Sequence, residues 1–115
     1  MNLLVLNLPP EFVKAKYIFR AKGILPNETV IIHRQPRKIF RGHTFVFLTR
    51  TEDLYVNFRI GNYTEFLEDM PATHLHNMHV ELTTCNPAVV MQLMVKNIDI
   101  VPRSVKVRLL GKTIR

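Results

Sequence analysis

The sequence predicts an α+β fold, in which two helices pack on one face of an antiparallel sheet and the other face stays open. Apolar residues alternate with a period of two in several short runs and recur at helical spacing in two longer segments. The first part of the chain also resembles the last part, because an ungapped alignment of the two pairs Leu4 with Val80 and Pro26 with Pro102. Each copy is predicted as strand, helix, turn and strand, although two unrelated units of that kind would match about equally well.

The first copy begins with a short apolar run from Leu3 to Leu8, which is typical of a buried strand. A helix is predicted from Glu11 to Lys22. Pro10 suits the first turn of that helix, and Gly23 suits its end. Apolar residues inside the segment recur at helical spacing, at Phe12, Ala15 and Phe19.

Strands are predicted through the middle of the chain. The run that ends at Gly61 alternates most regularly, and we expect it to form an extra hairpin strand beside the strand before it. Acidic residues before Pro71 predict one short helix from Thr64 to Met70. The three predicted strands are Glu28 to His33, His43 to Thr49, and Leu54 to Ile60.

The second copy starts with a predicted strand from His79 to Thr84. Asn86 and Pro87 favour a helix start, so the second helix is predicted from there to Asn97. A last strand is predicted from Ser104 to Leu110. Two such units side by side give a ferredoxin-like sheet with two helices on one face, and the length fits a single domain over residues 1–115.

The charge of the chain favours a polyanionic partner. Sixteen Lys and Arg against nine Asp and Glu give a formal net charge of +7. Basic residues cluster between Lys14 and Arg41 and again between Lys96 and Arg115, whereas most acids lie between Glu52 and Asp69. We therefore expect the two basic segments to share a surface that binds nucleic acid.

A cytoplasmic protein without a cofactor is expected. Cys85 is the only cysteine, so the chain forms no internal disulfide. The first ten residues lack the pattern of a secretory signal, and no apolar run reaches the roughly 18 residues of a membrane span. Neither a membrane nor a cofactor is therefore predicted as a partner.

The segment Arg41-Gly-His-Thr-Phe-Val-Phe-Leu48 resembles the longer sheet motif of RNA-recognition modules, and Leu4 to Leu8 resembles the shorter one. On a straight strand, His43, Phe45 and Phe47 would face outward and Thr44, Val46 and Leu48 inward. Outward rings would stack on unpaired bases. The alternative is an ordinary strand whose phenylalanines pack under another element.

A second resemblance covers more of the chain. The segment Pro10-Glu-Phe-Val-Lys-Ala-Lys16, followed by Gly23-Ile24, Asn27 and Arg41, resembles the N-terminal half of the RegA-type translational repressors of phages. Leu93 to Pro102, which ends Ile-Asp-Ile-Val-Pro, is similar to the family's second helix and following turn. Glu52 to Met78 departs from the family, and the chain after Pro102 is shorter, so the family's C-terminal RNA-contacting segment cannot be placed on this sequence.

This resemblance implies a non-catalytic protein that binds messenger RNA at initiation regions and represses translation, in the cytoplasm of a bacterial host. The family's basic positions in the first helix and before the third strand fall on Lys14 and Arg41. The oligomeric state, with a homodimer as one alternative, stays open. The residues predicted to bind single-stranded RNA are Lys14, Lys16, Arg37, Lys38, Arg41, His43 and Phe45.

Two other functions stay open. A small ribonuclease would use His33, His43 or His79 as general acid or base, but no motif supports catalysis. An inhibitor that binds a host protein would use Tyr55, Phe58 and the exposed acids as its interface. No metal site is predicted, because the spacing of the candidate ligands matches no common metal motif. Those candidates are His74, His76, His79 and Cys85.

Overall fold

The computed structural model describes residues 12–114, which form two antiparallel sheets and one helix of four residues. The first sheet has the strand order β1-β8-β3. The second has the order β2-β7-β4-β5, with β6 also paired to β4. The elements are β1 (Phe12–Ile24), β2 (Thr29–Arg34), β3 (Phe40–Phe47), β4 (Leu54–Ile60), β5 (Tyr63–Thr64), β6 (Met70–Pro71), α1 (Ala72–Leu75), β7 (Met91–Asn97) and β8 (Arg103–Ile114).

The predicted α+β, ferredoxin-like fold is therefore wrong, and the first predicted helix is strand β1. The segment also has a period of two, because Lys14, Lys16 and Arg20 alternate with apolar residues. Phe12 and Phe19, which a helix would place on one face, are 56% and 0% exposed. Pairing with β8 along almost the whole of β1 settles the conformation, and that contact joins opposite ends of the chain.

The second predicted helix is strand β7, which lies in the middle of its sheet between β2 and β4. Its alternate residues Met91, Leu93 and Val95 are buried, and Lys96 is exposed. Asn86 begins a turn instead of a helix, since its carbonyl accepts a hydrogen bond of 2.9 Å from the amide of Val89. A fully paired central position outweighs helix propensity here.

The other predictions have mixed outcomes. A strand forms over Leu54 to Ile60 as predicted, and strands with shifted ends form where Glu28 to His33, His43 to Thr49 and Ser104 to Leu110 were predicted. The predicted hairpin is wrong, because β3 and β4 lie in different sheets. Residues 65–69 form no helix, and within 79–84 only His79 makes an isolated bridge, with Thr44. The predicted strand from Leu3 to Leu8 lies outside the described residues.

The core lies between the two sheets, which pack face to face. Phe58 of β4 contacts Phe19 of β1 and Phe45 of β3 edge to face, with ring centroids 5.9 and 5.2 Å apart. All three rings are completely buried. One face of each sheet is therefore used in the core, and Lys14, Lys16 and Arg20 are exposed on the outer face of the β1-β8-β3 sheet.

A β-bulge at His43 decides which side chains reach that outer face. Gly42 pairs with Gly111 and Thr44 pairs with Leu110, so His43 is an extra residue on β3. Beyond the bulge the alternation is reversed, and Phe45 is 0% exposed. The predicted outward position of Phe45 is wrong for this reason, and Phe45 is not available for stacking on RNA.

The bulge lies where β3 and β8 approach closely. A Cβ at Gly111 would collide with the carbonyl oxygen of Arg41, and a Cβ at Gly42 would lie 2.8 Å from the side chain of Leu109. Paired glycines therefore allow the strands to meet at this point. No helix in the described part of the chain has the length and apolarity that a helical bilayer crossing requires.

Candidate nucleic-acid interface

The outer face of the β1-β8-β3 sheet is strongly basic, and we call it the cationic face. Its three strands contain nine Lys and Arg and, within their described residues, no Asp or Glu. Arg103 is turned inward, where it pairs with Asp99 at 3.2 Å. The other eight basic side chains belong to the outer face: Lys14, Lys16, Arg20, Lys22, Arg41, Lys106, Arg108 and Lys112.

Strand register brings like charges directly opposite one another. Lys112 of β8 pairs with Lys14 of β1 on one side and with Arg41 of β3 on the other. Farther along the sheet, Arg20 pairs with Lys106. Directly opposed residues of an antiparallel pair share a face at close range, and like charges there destabilise the sheet. The row of Lys14, Lys112 and Arg41 is therefore unfavourable without an anion.

No acid of residues 12–114 neutralises this face through an ion pair within 4.0 Å. The two ion pairs in that part of the chain join Arg50 to Glu52 and Arg103 to Asp99. The outer face of the second sheet differs, since Lys96 and Arg59 there are opposed by Tyr55 and Gln92. Among the described residues, positive charge is thus concentrated on one side of the molecule.

The bulge adds two histidines at one edge of the cationic face. The rings of His43 and His79 are stacked, with centroids 5.3 Å apart and planes at 22°. Nδ1 of His43 lies 2.7 Å from the hydroxyl of Thr44. Partial burial, followed by the nearby charges of His79 and Lys112, lowers the pKa of His43 below its ordinary value. An anion beside these groups would favour the protonated imidazole.

The structure brings together several of the residues predicted from the sequence. Lys14, Lys16 and Arg41 lie on the cationic face, and His43 lies at its bulge. Arg37 and Lys38 are exposed in the loop before β3, where the amide of Arg37 donates to the hydroxyl of Tyr17 at 3.4 Å. Phe45 does not join them, because it lies in the core.

Five basic residues of this face were absent from the predicted site. Lys106 and Arg108 have the spacing of two that marks one face of a strand. Nε of Arg108 is a buried side-chain nitrogen that has no hydrogen-bond partner within residues 12–114. Lys106 and Arg108 lie beside β1 only because β8 pairs with β1, and local sequence patterns do not predict such a long-range pairing. The five are Arg20, Lys22, Lys106, Arg108 and Lys112.

The structure separates some residues of the alternative sites and brings others together. Phe58 is 0% exposed and does not contribute to an inhibitor interface. His33 lies on β2 of the second sheet, whereas His43 and His79 stack beside the first. Within residues 12–114, no three His, Cys, Asp or Glu side chains are grouped closely enough to hold a metal ion.

Comparisons of the chain with protein-family models, curated proteins and solved structures found no match. A function for this protein is therefore inferred from the geometry and charge of the cationic face.

Proposed function

We propose that this protein binds single-stranded RNA on the cationic face and performs no catalysis. The observation that carries the proposal is the row of Lys14, Lys112 and Arg41, in which like charges are directly opposed across three strands. Phosphate groups placed over this row would turn the repulsion into attraction. The release of counterions from the phosphates would add to the binding free energy.

The shape of the face favours a flexible strand over a duplex. Basic residues recur at alternate positions of β1, at Lys14 and Lys16 and again at Arg20 and Lys22. Alternate residues of a strand are roughly 6.6 Å apart, and a single strand can adjust its phosphates to such a line. A duplex is stiff over roughly 50 nm, so it cannot adjust its phosphates to such a line in the same way.

Aromatic groups for base stacking lie at the ends of the row. Phe12 is 56% exposed on the outer side of β1, and His43 is stacked on His79 at the β3 edge. Stacking of a base on an aromatic side chain typically contributes about 1 to 3 kcal/mol. These rings take the role that the sequence assigned to Phe45.

The finer role, repression of translation by covering initiation regions, follows from the resemblance to the RegA-type repressors. Lys14 and Arg41, the two positions carried over from that family, lie in one row with Lys112. Lys14 lies on a strand here, whereas the family places this position on a helix.

Titration of a fluorescent single-stranded RNA at several salt concentrations tests the proposal. Each phosphate neutralised in a single strand changes the logarithmic salt slope by about −0.7, so roughly five contacts predict a slope near −3.5. Salt-independent or absent binding would exclude the electrostatic mechanism, and cleavage of the RNA would favour the ribonuclease. An initiation-region RNA should bind more tightly than a coding-region RNA of equal length, and equal binding would contradict the repressor role alone.

A further inference from the structure

A small pocket lies at the β3 edge of the cationic face, and we call it the bulge pocket. It has a volume of about 260 Å³. Drug-sized ligands occupy about 300 to 1,000 Å³, so this pocket suits a smaller group. Its lining residues are Arg41, Gly42, His43, His79, Val80, Glu81 and Lys112.

Fixed backbone forms one wall of the bulge pocket. The segment from His79 to Glu81 lies along the free edge of β3, and the amide of Val80 donates to the carbonyl of His43 at 2.7 Å. Nε of Arg41 donates to the carbonyl of Leu82 at 3.2 Å, which ties this guanidinium to the same segment. The pocket is therefore preformed, and its wall lies beyond the edge of the sheet.

A line of depressions leads from this pocket across the sheet. A second depression of about 250 Å³ shares His43 and Lys112 with the bulge pocket and reaches Lys14. A third is lined by Lys14, Lys16 and Leu110 on the β1 side. The depressions thus run from β1 to β3, and Val80 lines the last of them at the β3 edge.

The wall combines two fixed cations with two imidazoles, and a doubly charged phosphate beside those imidazoles would favour their protonated forms. Arg41 and Lys112 line the bulge pocket together with His43 and His79, and Glu81 is the one acid among its lining residues. Glu81 makes no ion pair with either cation within residues 12–114. An internal phosphodiester has one negative charge, whereas a phosphate monoester has about −1.5 to −2 at neutral pH and three strong acceptor oxygens.

We infer that the bulge pocket binds a terminal phosphate monoester of the RNA, so that the cationic face recognises a phosphorylated chain end. Arg41 and Lys112 hold the phosphate oxygens, and His43 and His79 donate ring N–H groups when protonated. The rest of the strand lies along the depressions toward Lys16. This inference depends on the proposed RNA binding.

Three RNAs of one sequence test the inference by fluorescence anisotropy: one with hydroxyl groups at both ends, one with a 5′-phosphate and one with a 3′-phosphate. One phosphorylated form should bind roughly tenfold more tightly than the hydroxyl form, because charged hydrogen bonds are the strong ones. His79→Asn should abolish this preference, because it should weaken binding of the phosphorylated form much more than binding of the hydroxyl form. Glu81→Gln should strengthen the preference.

Equal binding of all three RNAs with a normal salt dependence would overturn the inference and leave the proposed function intact. Absence of binding by all three would overturn both. Retention on vesicles with phosphomonoester headgroups, without preference among the RNA ends, would assign the pocket to a lipid and also overturn the inference.

Discussion

Replacement of Lys14 and Lys112 together by glutamine should weaken binding of single-stranded RNA by roughly a hundredfold at low salt. The two residues are directly opposed on the cationic face, and each would make a charged hydrogen bond to phosphate. Such bonds contribute about 1.5 to 3 kcal/mol each, and 1.4 kcal/mol is a factor of ten in affinity. The salt slope should become shallower by about 1.4, since two phosphate contacts are lost.

The same double variant should be more stable than the wild type when no RNA is present. Opposed like charges on neighbouring strands destabilise a sheet, and each pair removed returns roughly 0.2 to 1 kcal/mol. Urea unfolding followed by circular dichroism measures this change. A gain in stability together with a loss of affinity is the expected signature of a face whose charges are retained for binding.

Arg59→Gln with Lys96→Gln provides the matched control. These residues project from the outer face of the second sheet, and their loss lowers the net charge by the same amount. This pair should weaken RNA binding only a few-fold, through long-range attraction. If both double variants lose affinity equally, net charge alone attracts RNA and the cationic face is not the site.

Phe45→Ala should lower the free energy of unfolding by about 3 to 5 kcal/mol, which is the range for loss of a buried phenylalanine. Phe45 is fully buried and lies edge to face against Phe58, 5.2 Å from centroid to centroid. RNA affinity of the folded variant should match the wild type, because this ring does not reach the cationic face. Chemical denaturation and anisotropy measure the two quantities.

Phe12→Ala is the control for Phe45→Ala, because it removes an exposed phenylalanine instead of a buried one. Phe12 is 56% exposed, so the change should alter stability by less than about 1 kcal/mol. Phe45→Leu keeps most of the buried volume and allows the comparison if the alanine variant does not fold. A stable Phe45→Ala protein that has lost RNA binding would contradict the bulge and restore an outward Phe45.

Local patterns in the sequence were sufficient for the short strands. Leu54 to Ile60 alternates cleanly and is β4 with the same bounds. The segments of β1 and β7 fit both a helical and a strand period, and their conformation is decided by partners far along the chain. Phe12 of β1 pairs with Ile114 of β8 in the first sheet. A pattern within a short stretch of sequence does not predict a pairing between residues so far apart.

The sequence predicted the positive charge of the candidate site, but it placed only some of the site's residues correctly. The basic clusters predicted a polyanion surface, and Lys14, Lys16 and Arg41 do lie on one face. Lys112 was missed because it meets Lys14 and Arg41 only through the pairing of β8 with both neighbours. Phe45 was misplaced because one extra residue at His43 reverses the alternation that the motif assumes.

Amide chemical shifts recorded during titration with a short single-stranded RNA show which sheet of the protein binds the RNA. The largest changes should fall on β1, β3 and β8, strongest around Lys14, Arg41 and Lys112. Amides of β2, β4 and β7 should change little. Changes concentrated on the second sheet, or absent at saturating RNA, would contradict an RNA site on the cationic face.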